Sequence, residues 1–488
     1  MKNIRWPQRS QLLHLNSKEG KMGYSLPKRQ KSFSRLRKKR EKLAELPQLS
    51  ELDVVRHYTR LSHQNYSIDE GFYPLGSCTM KYNPRINEFT AGRQGFLLAH
   101  PLCPEEFVQG NLRLMAQLEK YLQEISGFTK VSLQPAAGAQ GEYAGIKMIR
   151  HHLIERDGVA RSKLLIPESA HGTNCATAAM CGYQVTPLKV KDNGIIDPED
   201  VKRLMEDPEV AGLMVTNPNT AGLFESHIQQ ITEIIHSKGG LVYCDGANLN
   251  AMLGVTRPGD AGIDVMHFNQ HKTFTTPHGG GGPGCGAVGV SETLIPYLPS
   301  PVIAEVNNSY KWDYDRPLSI GPIKDFYGHF LMMVRSHTYI SELGREGLSK
   351  IGRHAILLAN YIRARLTGHF HLSYDRACMH EVVFDDQFQL KNDISTLDIA
   401  KKIIDYGYHP PTIYFPLIIK GALMIEPTET ESLETIDEFC EALIEIANLA
   451  KEDNAKEKHF ENCPRGTPFA KVDETEAARN LRLSWRDL

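Results

Sequence analysis

Lys272 directly follows His271 in the run DVMHFNQHKTF (264–274), and the glycine-rich stretch TTPHGGGGPGCG (275–286) comes straight after it. A lysine amine held beside a cationic group and partly desolvated loses its proton more readily, and can then form a Schiff base with an aldehyde. Asp245 stands in YCDGAN (243–248), at the end of a very apolar segment. A carboxylate buried there needs a partner; a protonated ring nitrogen is one, and a helix N-terminus to be capped is the other. His171, in PESAHGTN (167–174), has an imidazole suited to lie flat on an aromatic cofactor, or to cap the helix that follows. Further upstream, AAGAQGE (136–142) puts small residues at the start of a helix. There the backbone N–H groups of Gly138, Ala139 and Gln140 would face a phosphate, although a plain tight turn has the same composition. Phosphate cradle, flat ring, acid and amine, in that order, describe a site for pyridoxal 5′-phosphate (PLP) bound covalently as a Schiff base on Lys272. Asp245 would keep the ring nitrogen protonated and the ring an electron sink. Thr220 in NPNT (217–220), Asn269 and His271 are further candidate contacts to the ring or phosphate.

Such a set must be held at strand ends. Short apolar runs at 131–133, 164–166, 212–215, 241–243, 265–268 and 287–290 read as strands, with helix-like stretches such as 228–238 between them. Strand, helix and strand at this spacing predict an α/β unit with a mostly parallel sheet, whose ligands bind at the carboxyl ends of the strands. A helix is expected over about 105–125 and ends at Gly127. The stretch 296–322 is rich in Pro and Tyr and reads as irregular. A long helical region over 325–366, a strand at 380–384, a helix at 397–406 and a strand at 422–425 indicate a second, smaller α+β unit. The division expected is a basic arm (1–50), a large PLP-binding domain (51–330), a small domain (331–450) and a surface tail (451–488).

Composition narrows the class. With 488 residues, two folded units are expected. Apolar residues are 41%, charged residues 23% and the formal net charge is −2, an ordinary globular balance that points to neither nucleic acid nor an anionic membrane. No run of 18 apolar residues is present, so no transmembrane helix is expected. Nine scattered cysteines include no Cys-x-x-Cys pair, which favours a reducing, cytoplasmic setting over disulfides or zinc. Cys78 reads as a buried structural thiol, with a redox role as the alternative. The basic run 28–42 reads as a solvated arm, or as a surface that docks on an acidic partner.

The order of the site residues is that of the aspartate-aminotransferase-like, fold type I PLP enzymes. Longer motifs go further. GFYPLGSCTMKYNP (71–84), VVRHYTRLS (54–62), PESAHGTN, MVTNPNTAGLFE (214–225), YCDGANLNA and DVMHFNQHKTFTTPHGGGGPG together resemble the glycine cleavage system P-protein family, from about residue 22 to near the C-terminus. The chain is similar to the C-terminal half of the long single-chain form, the half that carries the PLP lysine. This implies the split, two-subunit bacterial form, an α2β2 heterotetramer with P-protein subunit 1. It implies decarboxylation of glycine, with transfer of the aminomethyl group to the lipoyl arm of H-protein. Lys272, Asp245 and His171 would then be the Schiff-base lysine, the ring-nitrogen partner and the stacking residue. Other fold type I activities share the cofactor site, and the 71–84 signature separates this chain from them. A non-catalytic subunit is the reading from another class, and the His271-Lys272 pair argues against it.

Overall fold

Strands that are apolar along their whole length must be covered on both faces, and the fold satisfies this with helices on each side of one sheet. A computed structural model of the chain describes residues 12–23, 42, 44–278, 284–467 and 472–484. Apart from Lys42, the basic run 28–42 lies outside them, as do residues 279–283 of the glycine-rich stretch.

The large sheet has seven strands: β1 (Lys130–Ser132), β2 (Lys163–Pro167), β3 (Gln184–Leu188), β4 (Val210–Thr216), β5 (Leu241–Asp245), β6 (Val265–Asn269) and β7 (Gly286–Val290). Their order is β1-β7-β6-β5-β4-β2-β3. β7 runs antiparallel to both β1 and β6, and every other pairing is parallel. β1 therefore points the same way as β2 to β6, and six strands deliver their carboxyl ends to one edge. β4 to β7 are buried along their length, whereas β3, at the border of the sheet, exposes Gln184 and Val185.

Side chains alternate between two layers along each strand. Val242, Cys244, Met266 and Phe268 join one core; Leu241, Tyr243 and Val265 join the other. The first layer is closed by helix α1 (Gln109–Ser126), which buries Leu112, Met115, Leu118 and Leu122. It stops at Gly127, whose φ of 78° is the left-handed C-cap conformation that glycine adopts at little cost. The second layer is closed by α2 (Gly138–Asp157).

Residues 296–322 depart from the expected irregular stretch. They contain the antiparallel hairpin β8 (Val302–Val306) and β9 (Ser309–Asp313). Its two-residue turn is Asn307-Asn308, with φ of 50° and 61°. Asparagine tolerates that conformation, and a two-residue hairpin turn of this hand demands it.

The small antiparallel sheet is ordered β10 (Val382–Asp385), β12 (Ala422–Ile425), β11 (Thr412–Ile413). The long helical segment α4 (Phe330–Leu366), which follows α3 (Ile228–Ser237) in our numbering and is kinked at the non-helical Gly344, serves both cores: Met333 and Val334 belong to the first, Ile362 and Leu366 to the other. α5 (Thr396–Asp405) and α6 (Leu433–Leu449) complete the cover. Ala455 and Phe460 are buried in this second core, so the chain beyond 450 is not only the expected surface tail; it docks through these side chains before reaching the exposed 472–484.

Candidate active site

The residues singled out by chemistry gather at the carboxyl edge of the large sheet. β1 leads through 133–137 into α2, whose N-cap Ala137 offers no side-chain cap. The first N–H groups of a helix have no partner within it, so those of Gly138, Ala139 and Gln140 are presented at this edge. The Gln140 side chain is engaged elsewhere: its Oε1 accepts from Ala136 N at 2.7 Å and its Nε2 donates to Ile323 O at 2.7 Å. A Cβ on Gly138 would fall 2.3 Å from Asn269 Nδ2 and 2.8 Å from His267 Nε2. Glycine here lets the start of the helix rest directly on β6.

Asp245 ends β5 and is buried. Its Oδ1 accepts from Ala247 N at 2.9 Å, so it is a helix cap. With its amide turned to face the carboxylate, Asn174 donates to Asp245 Oδ2 at 3.2 Å. His171 is also a cap: its Nδ1 accepts from Thr173 N at 3.2 Å. The cap fixes the imidazole at the mouth of the site, where its edge meets the Phe415 ring (centroids 5.5 Å, 63°). Desolvation, reinforced by the Lys272 charge, holds its pKa below the usual imidazole range against the opposing pull of Asp245. The two alternatives read from the sequence for each residue are thus compatible.

Lys272 lies in a single helical turn, Gln270–Thr273, directly after β6. Its ammonium donates to Ser77 O at 2.8 Å. His271 is neutral, since burial and the neighbouring Lys272 charge push its pKa down to about 4. Its Nε2 is 3.4 Å from Asn269 Nδ2. Thr220 is buried, and its hydroxyl donates to Ser169 O, tying the segment after β4 to the turn that carries His171.

The sequence reading missed how Ser77 is held. Ser77 and Thr79 have φ of 63° and 46°, uncommon for residues with a Cβ. Two buried glutamates at the strand ends of the small sheet, Glu381 just before β10 and Glu426 just after β12, hold them there. Glu381 Oε2 accepts from Ser77 N at 2.8 Å, while Glu426 accepts from Thr79 N at 3.0 Å and from Thr79 Oγ1 at 2.5 Å. These pairs span 304 and 347 residues of sequence. Burial pushes the Cys78 thiol up, more than the nearby Lys272 ammonium lowers it, which favours the neutral thiol.

Burial, and then the charge of Glu426, raise the Glu381 pKa well above the usual carboxylate range. His380 faces Glu426, Lys272 acts on Glu381, and Lys81 lies close enough to act on His380. Because the folded pKa is raised, the folded state holds a proton that the unfolded chain releases. The contribution of this proton is fully present below the unfolded pKa and is lost as pH rises towards the folded one. Glu381→Gln keeps an acceptor for Ser77 N and removes the titration. The stability of the variant relative to the parent should rise from about pH 5 towards neutral pH, with a slope of up to about 1.4 kcal/mol per pH unit. Urea midpoints at the two ends check this; a difference that does not change with pH overturns it.

Comparisons with known proteins agree with this architecture. The family profile described as "Glycine cleavage system P-protein" matches residues 28–309, and "Glycine dehydrogenase, C-terminal domain" matches 351–468. The chain is 52% identical over 475 residues to the "Probable glycine dehydrogenase (decarboxylating) subunit 2" of Caldanaerobacter subterraneus, covering 96% of this chain and 97% of that one. It is 51% identical to the protein of the same description from Alkaliphilus oremlandii, over 96% and 97%. In fold it is similar to a crystal structure of glycine decarboxylase (P-protein) in inhibitor-bound form, with TM-score 0.71 and 20% identity over 83% of this chain and 92% of that chain. It is also similar to an aspartate aminotransferase from Thermus thermophilus, with TM-score 0.56 and 14% identity over 77% and 99%. The fold is that of the aspartate-aminotransferase-like PLP enzymes, and the chain belongs to the glycine cleavage system P-protein family.

Proposed function

We propose that this chain is the PLP-bearing subunit of a glycine decarboxylase, acting in the cytoplasm with P-protein subunit 1 in an α2β2 heterotetramer. It would release CO2 from glycine and pass the aminomethyl group to the lipoyl group of H-protein. The observation that carries the reading is the meeting of Asp245, Lys272 and the uncapped α2 N-terminus at one sheet edge. Relatives described as glycine dehydrogenase (decarboxylating) subunit 2, aligned over nearly their whole length, support the choice of substrate and the need for a second subunit. Among the described residues no helix is long and apolar enough to cross a membrane.

The residues present fit the cofactor. The α2 N–H groups suit a phosphate dianion, and the Gly138 cradle would be filled by any Cβ. The Lys272 amine would bond the aldehyde carbon. Asp245, held on one oxygen by Ala247 N and on the other by Asn174, is fixed to accept a ring N–H. When bound, PLP supplies an electron sink for the charge left on the glycine α-carbon as CO2 departs. Asp245 would stabilise the cationic ring nitrogen that makes this work. His171, kept neutral and fixed by its cap, would cover the ring face and exclude water. Ser77 O orients the Lys272 amine. Contacts from Thr220, Asn269 and His271 would border the ring and phosphate.

Co-expression with subunit 1, then exchange of labelled bicarbonate into glycine with lipoylated H-protein, tests the reading. Exchange that needs both subunits and H-protein is expected. Turnover of another amino acid in its place, or no visible cofactor absorbance in the complex, overturns it.

A further inference from the structure

Four polar side chains lie on the α2 face of the central strands: Tyr243 and Asp245 on β5, His267 and Asn269 on β6. Each pair is two residues apart, so strand alternation places them all in the same layer, and β5 and β6 are paired neighbours. All four are buried. Space for them comes from α2, whose Gly138, Gly141 and Gly145 recur at helical spacing. A Cβ on Gly141 would lie 2.9 Å from His267 Cβ, and one on Gly145 3.0 Å from Tyr243 Cδ2.

The His267 ring has contacts at both nitrogens. Nδ1 is 2.5 Å from Tyr243 Oη. Nε2 is 2.6 Å from Asn269 Oδ1 and 3.5 Å from Asp245 Oδ1. Burial raises the Tyr243 phenol well above its usual range and lowers the His267 imidazole, so both are neutral and Tyr243 can donate. Of the two neutral tautomers, a proton on Nδ1 would turn the Nε2 lone pair onto two oxygens. A proton on Nε2 satisfies every contact: Tyr243 donates to Nδ1, and Nε2–H donates to Asn269 Oδ1 with Asp245 Oδ1 at its flank.

That choice propagates. With Asn269 Oδ1 accepting, its Nδ2 points to Gly138 and to His271 Nε2. His271 can then accept at Nε2, while its Nδ1 lies 3.2 Å from both Cys285 N and Cys285 O. One directed chain of hydrogen bonds thus runs from Tyr243 behind the sheet to His271 beside Lys272, passing Asp245 and the α2 N-terminus.

We propose that His267 is a positioning residue: locked by Tyr243 as the Nε2–H tautomer, it fixes Asp245 and Asn269, and through them the ring-nitrogen and phosphate ends of the cofactor site. The role of these ends rests on the PLP reading above, whereas the tautomer does not. Among the described residues, Glu142, Cys244, Asp245 and Lys272 are the titratable groups that act on Tyr243 and His267.

The test is 15N NMR of histidine-labelled chain with its partner subunit, with and without PLP, compared with Tyr243→Phe. The parent is expected to show a neutral Nε2–H imidazole for His267 from about pH 6 to about pH 8, and Tyr243→Phe to lose that preference. In holoenzyme, His267→Phe should lower kcat for glycine exchange by about 10–100-fold, the loss typical when a partner behind a ligating group is removed, with KM little changed. His267→Gln, whose amide restores a donor, should recover most of kcat, and adding Tyr243→Phe to it should cost nothing further. An Nδ1–H tautomer in the parent, or equal losses in the Gln and Phe variants, overturns the proposal. Should His267→Phe fail to fold, the Tyr243→Phe spectrum alone decides. Because the tautomer is also read without PLP, its failure is separable from failure of the cofactor assignment.

Discussion

Lys272→Ala is expected to yield a folded chain that assembles with its partner, binds PLP without a covalent bond, and loses glycine exchange by on the order of 10⁴-fold or more, as deletion of a covalent nucleophile does elsewhere. Folding should survive because Lys272 is only partly buried and its recorded hydrogen bond is the one to Ser77 O. Losing one such bond costs about 0.5–1.5 kcal/mol, against a typical stability of about 5–15 kcal/mol. The direct measurement is borohydride reduction of the parent, followed by peptide mapping. The pyridoxyl label should sit on Lys272 and be absent from the variant. A label on any other lysine of the parent sinks the assignment.

Asp245→Asn separates holding the cofactor from using it. The side chain is nearly isosteric, and the Ala247 N–H still finds an oxygen. The phosphate end and the lysine are on other elements, so PLP should remain bound. What disappears is the charge opposite the ring nitrogen at a buried position. Breaking a buried ion pair costs about 3–5 kcal/mol, which corresponds to roughly 10²–10⁴-fold in rate when the charge matters in the transition state. We therefore expect kcat for glycine–bicarbonate exchange to fall by that factor while the reduced protein still carries a stoichiometric pyridoxyl group. Unchanged exchange would remove Asp245 from the ring-nitrogen role.

The parts of this site that were legible in the sequence are the local ones. Lys272, Asp245, His171 and Gly138 each follow an apolar run at short range, so type and spacing alone bring them to strand ends. Strand alternation also carried a signal for His267: it shares parity with Asn269, as Tyr243 does with Asp245, on paired strands. The supports from the small sheet were not legible. Glu381 and Glu426 reach Ser77 and Thr79 across more than 300 residues, and no local period encodes such a contact. β11 has two residues and no pattern of its own. The β8–β9 hairpin was announced by Asn307-Asn308, a turn signal hidden in a Pro- and Tyr-rich stretch.

The three glycines of α2 have a consequence for how substitutions would be tolerated. None has a side chain to offer a substrate, yet a Cβ on each would come within about 3 Å of Asn269, His267 or Tyr243. A methyl group at 138 or 141 would press on the hydrogen-bonded layer behind Asp245, and one at 145 would need the Tyr243 ring to give by a few tenths of an ångström in a close-packed interior. A map of mutational sensitivity would therefore mark 138 and 141 as well as the lysine, with 145 less severe. The most fragile information in this protein is a pattern of missing atoms.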